Sequence, residues 1–228
     1  MLSPVSSLSQ TLPEKLAAAL AERIAHGGYA AGERLIEAAL VKEFGVSHGP
    51  VRDALRMLQS AGLVTIHPYR GAQVTAISVR EVKEIYQVRA ALVGLRARWL
   101  AEDEGRAELI KQVQEPVRRL ATVAETDESG EEYIALAQSI NRIFTESLTN
   151  RWLRSMLQAL TLQTSRYTRL ALATRERRRE SARSWNELLD AIEAGDGDRA
   201  ERIASTISLG TRDAAIKHLE EQEQRKPA

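Results

Sequence analysis

His48, Arg52 and Arg56 recur every four residues, so a helix through them carries one stripe of nitrogen donors. A guanidinium is a planar fork that suits either the edge of guanine or a phosphate. Ser47, His48, Gly49 and Arg52 fall at the start of that helix, where side chains reach base edges. Lys42 and Arg56 flank them and suit phosphate positioning better than base reading. Further on, Tyr69-Arg70-Gly71 sets an arginine in a turn whose glycine permits close approach, as to a minor groove. Bond-making chemistry is poorly provided for. The chain has no cysteine and only four histidines, and it lacks G-x-S-x-G, H-E-x-x-H and any glycine-rich phosphate loop. No enzymatic function is expected.

The elements that must present these side chains can be read from caps and periodicity. Thr11 and Glu14 form a capping-box pattern with Pro13 in the first turn. Leu16, Ala19, Leu20 and Ile24 then follow at helical spacing until Gly27-Gly28. After YAAGE a second helix is predicted from Glu37 to Phe44, broken by Gly45. Ser47 is placed to cap a third, in whose first turn Pro50 costs little. Val51, Ala54, Leu55 and Leu58 make the apolar stripe of that helix, so the basic stripe lies on an adjoining face. LVTIH and AQVTA, joined by PYRG, predict a hairpin. Helix, helix, tight turn, helix and hairpin is the order of a winged helix-turn-helix, expected over residues 8–76.

Composition changes at Ser78, which begins another capping box with Glu81. Residues 79–220 read as helices with breaks near Gly105, Ser129-Gly130, Asn150, Thr174 and Gly195-Asp198, and no strand pattern interrupts them. The fold class is therefore mainly α: a winged helix-turn-helix followed by an all-α bundle of six or seven helices. Aromatics make up only 4% of the chain, so its cores rest on Leu, Ala, Ile and Val. The run RERRRE is expected to be a solvated helix face. Net charge is +1, so any DNA contact must come from a local arrangement of basic residues, not a global field. No stretch approaches the roughly 20 apolar residues of a membrane span, and MLSPVSSLSQ lacks the basic start of a secretory signal. A cytoplasmic protein with no membrane partner is expected.

The segment GYAAGERLIEAALVKEFGVSHGPVRDALRMLQSAGLVTIHPYRGAQV closely resembles the DNA-binding domain of the GntR family of bacterial regulators. The shared pattern is G-E-R-L-x-E, G-V-S-x-x-P-V-R-x-A-L, G-L-V and R-G-A-x-V. The resemblance implies a transcription regulator, most simply a repressor, that binds double-stranded operator DNA as a homodimer, and it matches Arg52 to a DNA-contacting arginine. Two departures stand out: His48-Gly49 replaces the usual Arg-Thr, and Ala38 stands where the family often has Arg. Both remove positive charge, which implies a changed operator preference or weaker binding.

IYQVRAALVGLRARWLA, INRIFTESLTNRWLRSML and SWNELLDAIEAGDGDRA resemble the FCD-type effector domain of the FadR branch of that family. The resemblance implies a dimerising bundle that holds a small organic acid, often against a metal bound by an Asp and three His. The matching positions here are Asn141, Thr145, Trp185 and Ile207, none of them suited to a transition metal. His26, His48, His67 and His218 lie elsewhere, so neither a metal nor any other cofactor is expected. Arg89 matches an arginine that faces acidic effectors in the family; its alternative role is pairing with a nearby carboxylate. Asn141 and Thr145, one turn apart, would either add hydrogen bonds to an effector or form a packed polar pair. Trp185 would either wall a larger, greasier effector or simply fill the cavity. Two rival functions stand beside this one: an effector-independent repressor, which shares the N-terminal domain, and a dimerisation scaffold that has lost DNA binding, as Ala38 and His48 suggest, with a filled, metal-free bundle.

Overall fold

The computed structural model describes residues 11–67, 70–76 and 78–224. Residues 8–10 of the expected first domain, and Tyr69 of the expected wing tip, lie outside the described residues. The chain divides into two compact units at Ile77/Ser78.

In the first unit, α1 (Leu12–Ala25) opens with a complete capping box. The Glu14 amide donates to Thr11 Oγ1 at 3.4 Å, and the Thr11 amide donates to the Glu14 carboxylate at 2.7 Å. Helix α2 (Glu37–Phe44) ends at Gly45, whose φ of 63° is the left-handed geometry that glycine adopts without strain. Helix α3 (His48–Ser60) buries Val51, Ala54, Leu55 and Leu58 against the Leu16, Leu20 and Ile24 face of α1. Ser47 occupies the N-cap position but makes no side-chain cap bond, since amides exposed at this end can be served by water. The hairpin forms from β2 (Val64–His67) and β3 (Gly71–Val74). A third strand, β1 (Arg34–Leu35), adds to β3 with Arg34 opposite Gln73 and Leu35 opposite Ala72, giving the order β1-β3-β2. Two residues are too few to carry an alternation pattern, so β1 had no sequence signature.

The second unit is all helical among its described residues: α4 (Val79–Glu102), α5 (Arg106–Thr126), α6 (Glu131–Glu146), α7 (Arg151–Ala171), α8 (Arg175–Glu193) and α9 (Gly197–Gln224). Its breaks fall at the five positions read from sequence. Helices α4 and α9 pack along much of their lengths. Gly94 allows this approach, because a Cβ there would lie 2.4 Å from Ser205 Oγ. The core between α5, α6 and α8 is built from Val113, Val117, Leu120, Ile140, Phe144 and Leu188, all at most 1% exposed. No described helix is long and apolar enough to cross a membrane.

RERRRE departs from expectation at one residue: Arg175, Glu176, Arg179 and Glu180 are exposed as a solvated face would be, but Arg178 is not. Arg178 is 2% exposed, and its guanidinium donates to the carbonyls of Leu172 at 3.0 Å, Ala173 at 3.2 Å and Asp127 at 3.0 Å. One member of the charge run thus serves the α5–α6 and α7–α8 connections, where carbonyls freed at chain turns need donors.

Candidate functional site

The basic stripe of α3 faces solvent. Because the apolar stripe of that helix is spent on the core, the adjoining face is left outside, and Arg52 keeps 61% of its side chain exposed. Arg52 Nε donates to the Glu37 carboxylate at 2.9 Å, and His48 Nδ1 lies 3.8 Å from the same oxygen. Glu37, at the first position of α2, therefore collects the two N-terminal members of the stripe. Exposed pairs of this kind contribute about 0–1 kcal/mol, so a phosphate or a base can displace Glu37 cheaply. Arg56 is 74% exposed, 3.8 Å from Asp53. Lys42, Ser47 and Gly49 are exposed nearby, and nothing lies within 4 Å of the place a Gly49 Cβ would take. In the hairpin, the Arg70 amide donates to the His67 carbonyl at 3.1 Å, and Gly71 takes a φ of 78° with open space around it. Arg70 itself is exposed.

Replacing His48 by Arg restores a fixed positive charge on this face. His48→Arg is expected to steepen the log–log salt dependence of DNA binding by about 0.9 for each additional phosphate that it neutralises. A slope equal to wild type on the variant's best operator rules out a phosphate role for position 48.

The second unit contains a partly open cavity of about 70 Å³ between α4, α6, α7, α8 and α9. Arg89, Asn141, Trp185 and Ile207 line it; Thr145 does not. Arg89 Nη1 donates to Ser208 Oγ at 3.3 Å, and no Asp or Glu is among the lining residues, so the carboxylate pairing considered for Arg89 is not what holds it. Trp185 is 7% exposed and packs on Phe144 with ring centroids 5.8 Å apart, so it belongs to the core and walls the cavity at once.

Asn141 and Thr145 do face the same way, but toward Arg96. Its Nη1 donates to Asn141 Oδ1 at 2.8 Å, to the Asn141 carbonyl at 3.2 Å and to Thr145 Oγ1 at 2.8 Å. Arg96 is 2% exposed, and burial together with the neighbouring Arg89 brings its pKa down to about 9. Burial likewise lowers that of Arg89. Guanidiniums keep their proton in proteins, so the cost of burying these two falls on stability.

The residues at the family's metal positions do not fit a metal ion. Two are apolar or nearly so, Ile207 and Trp185, and the oxygens of the other two accept hydrogen bonds from a guanidinium whose charge would repel a cation. Neither Glu37 nor Arg96 was assigned a role from sequence. Arg96 did leave a signal: it interrupts the core stripe Val93, Ala97 and Leu100, seven residues after Arg89 and so two turns along the same face.

Comparison with known proteins matches this layout. The family model described as bacterial regulatory proteins, gntR family, matches residues 12–74, and the FCD domain model matches residues 84–208. An HTH-type transcriptional regulator of Bacillus subtilis is 30% identical over 142 residues, which is 61% of this chain and 62% of the relative. The HTH-type regulator BphR of Paraburkholderia xenovorans is 30% identical over 220 residues, covering 91% of this chain and 87% of that protein. Among solved structures, Escherichia coli McbR/YncC superposes with a TM-score of 0.77 at 22% identity, over 94% of this chain and all of that one, a likeness of fold. The chain belongs to the GntR family of bacterial regulatory proteins and carries an FCD domain behind its winged helix-turn-helix.

Proposed function

We propose that this DNA-binding transcriptional regulator is a cytoplasmic repressor that reads a palindromic operator as a homodimer. In this reading α3 enters the major groove with Ser47, His48, Gly49 and Arg52 toward the bases. Lys42 and Arg56 meet phosphates, and Arg70 of the wing tip enters the adjoining minor groove, with Gly71 permitting close approach. The observation that carries it is the exposed guanidinium of Arg52 on a helix whose adjoining face is committed to the core. Dimerisation is supported by the short half-site that one winged domain can read. Repression is supported by a relative named as a probable D-xylose utilization operon transcriptional repressor in Paenarthrobacter nicotinovorans. No catalytic role is proposed.

A small organic acid held by Arg89 against Asn141 and Trp185, with Thr145 behind them, adjusts operator affinity. Such control requires that the acid bind the DNA-competent and DNA-incompetent states with different affinity. A gel-shift titration against the upstream region of the protein's own gene, with and without a panel of carboxylic acids, tests both halves. The expected result is a retarded complex whose midpoint one acid moves, with that response lost in Arg89→Ala. Absence of any complex would contradict the regulator reading. A complex indifferent to every acid and unchanged in Arg89→Ala would favour the effector-independent alternative.

A further inference from the structure

We infer that the bundle cavity binds a small hydroxylated dianion, of the hydroxy-dicarboxylic acid class, gripped between Arg89 and Arg96 with no metal ion. This rests on the effector reading above and narrows it to one ligand chemistry and one mode of binding.

Charge comes first. Two guanidiniums line one cavity, and no carboxylate among the lining residues balances them. The Nε atoms of both Arg89 and Arg96 have no hydrogen-bond partner within the protein. Burying two like charges together is costly unless a counter-charge joins them, and each planar fork is shaped to receive a carboxylate. Two positive groups call for two negative ones.

The way Arg96 is held points in the same direction. All three of its hydrogen bonds come from Nη1, to oxygens of Asn141 and Thr145. These are positions at which the resembling domains supply metal ligands. Here the same corner presents a covalently attached cation instead. A guanidinium fixed on α4 can do what a bound metal would do for an anion, namely supply localised positive charge from a rigid frame, and it cannot be removed by a chelator.

The hydroxyls of the cavity select what lies between the charges. Thr164, Ser165, Thr168 and Thr211 line it, and each spends its single O–H on a carbonyl of its own helix, at 2.8–3.1 Å. A hydroxyl so committed keeps its lone pairs, so these four side chains offer acceptors to whatever occupies the cavity. They suit a ligand that carries O–H groups of its own between its charged ends. The cavity volume of about 70 Å³ favours a compact molecule over a long acyl chain.

Isothermal titration of the full chain in excess EDTA, with tartrate, succinate, acetate and inorganic phosphate as probes, tests this. Tartrate is expected to bind more tightly than succinate, which has the same carbon skeleton without hydroxyls, and both more tightly than acetate. Arg89→Gln and Arg96→Gln are each expected to weaken tartrate by about tenfold to a hundredfold, the effect of losing a charge-assisted hydrogen bond. Should Arg96→Gln not fold by circular dichroism, Arg96→Lys serves instead: it keeps the charge but not the fork, and should lose the preference for tartrate over acetate.

The inference is overturned by tartrate binding that EDTA abolishes and Zn²⁺ restores, by acetate or phosphate matching tartrate, or by wild-type affinity in a folded Arg96 variant. Retention of operator DNA by the same preparation, without added acid, reports on the regulator reading separately. A silent titration with DNA binding intact overturns the dianion alone.

Discussion

Arg52→Ala is expected to lower operator affinity by about 1–3 kcal/mol per half-site while leaving thermal stability within about 0.5 kcal/mol. The asymmetry follows from where the side chain sits. Its guanidinium is 61% exposed and bonded only to the half-exposed Glu37, so its removal opens no cavity and strands no buried group. In the proposed complex the same group acts on DNA as a planar fork. Arg52→Lys should recover a phosphate interaction but not bidentate base reading, so comparing Ala with Lys separates the two roles. Glu37→Gln supplies the converse: with the competing carboxylate neutralised, binding to unrelated DNA should strengthen. Equilibrium binding isotherms on a specific and an unrelated duplex check all three, and undiminished specific affinity in Arg52→Ala would refute the placement of α3.

The second large effect is expected far from any ligand. Arg178→Met removes the donors of three carbonyls in two connections of the bundle, with little solvent close by to replace them. A loss of about 3–4 kcal/mol is predicted, read as a fall in Tm of roughly 10 °C for a unit of this size. The partner across the joint is Gly130, at a φ of 81°, where an added Cβ would lie 2.8 Å from Arg178 Nη1. Gly130→Ala alone should cost about 1–2 kcal/mol in backbone strain and more through the clash. In the Arg178→Met background the clash is gone, so the pair should destabilise by less than the sum of the singles. Strict additivity by calorimetry would show that the two residues do not share one joint. A solvated charge run, as RERRRE reads in sequence, would make Arg178→Met nearly silent.

These two residues also mark what sequence could and could not disclose. Arg52 was legible because helical period and capping are local: Val51, Ala54, Leu55 and Leu58 fix the buried face of α3, and the basic stripe follows by elimination. Likewise the helix breaks in the bundle sit on local signals, glycines such as Gly130 and Gly195 or capping side chains such as Asn150 and Thr174. Arg178 was not legible, because its burial depends on carbonyls five, six and fifty-one residues away, brought together only by packing. Strand β1 escaped for a different reason, being two residues long and held by pairing with β3. The pocket lay between these cases. Arg89, Asn141 and Trp185 do line one cavity, whereas Thr145 sits behind it, committed to Arg96. The organising group of that corner, Arg96, was visible only as a charge in an apolar stripe.

Whether α3 offers its exposed basic face to a duplex is decided most directly with fragmented genomic DNA. The fragments are passed at low ionic strength over the immobilised full-length protein, beside its Arg52→Glu variant. Wild-type protein should retain a small set of fragments sharing an inverted repeat, and the variant should retain none of them. Equal enrichment by both proteins, or no retention by either while both are folded, would contradict that role for α3.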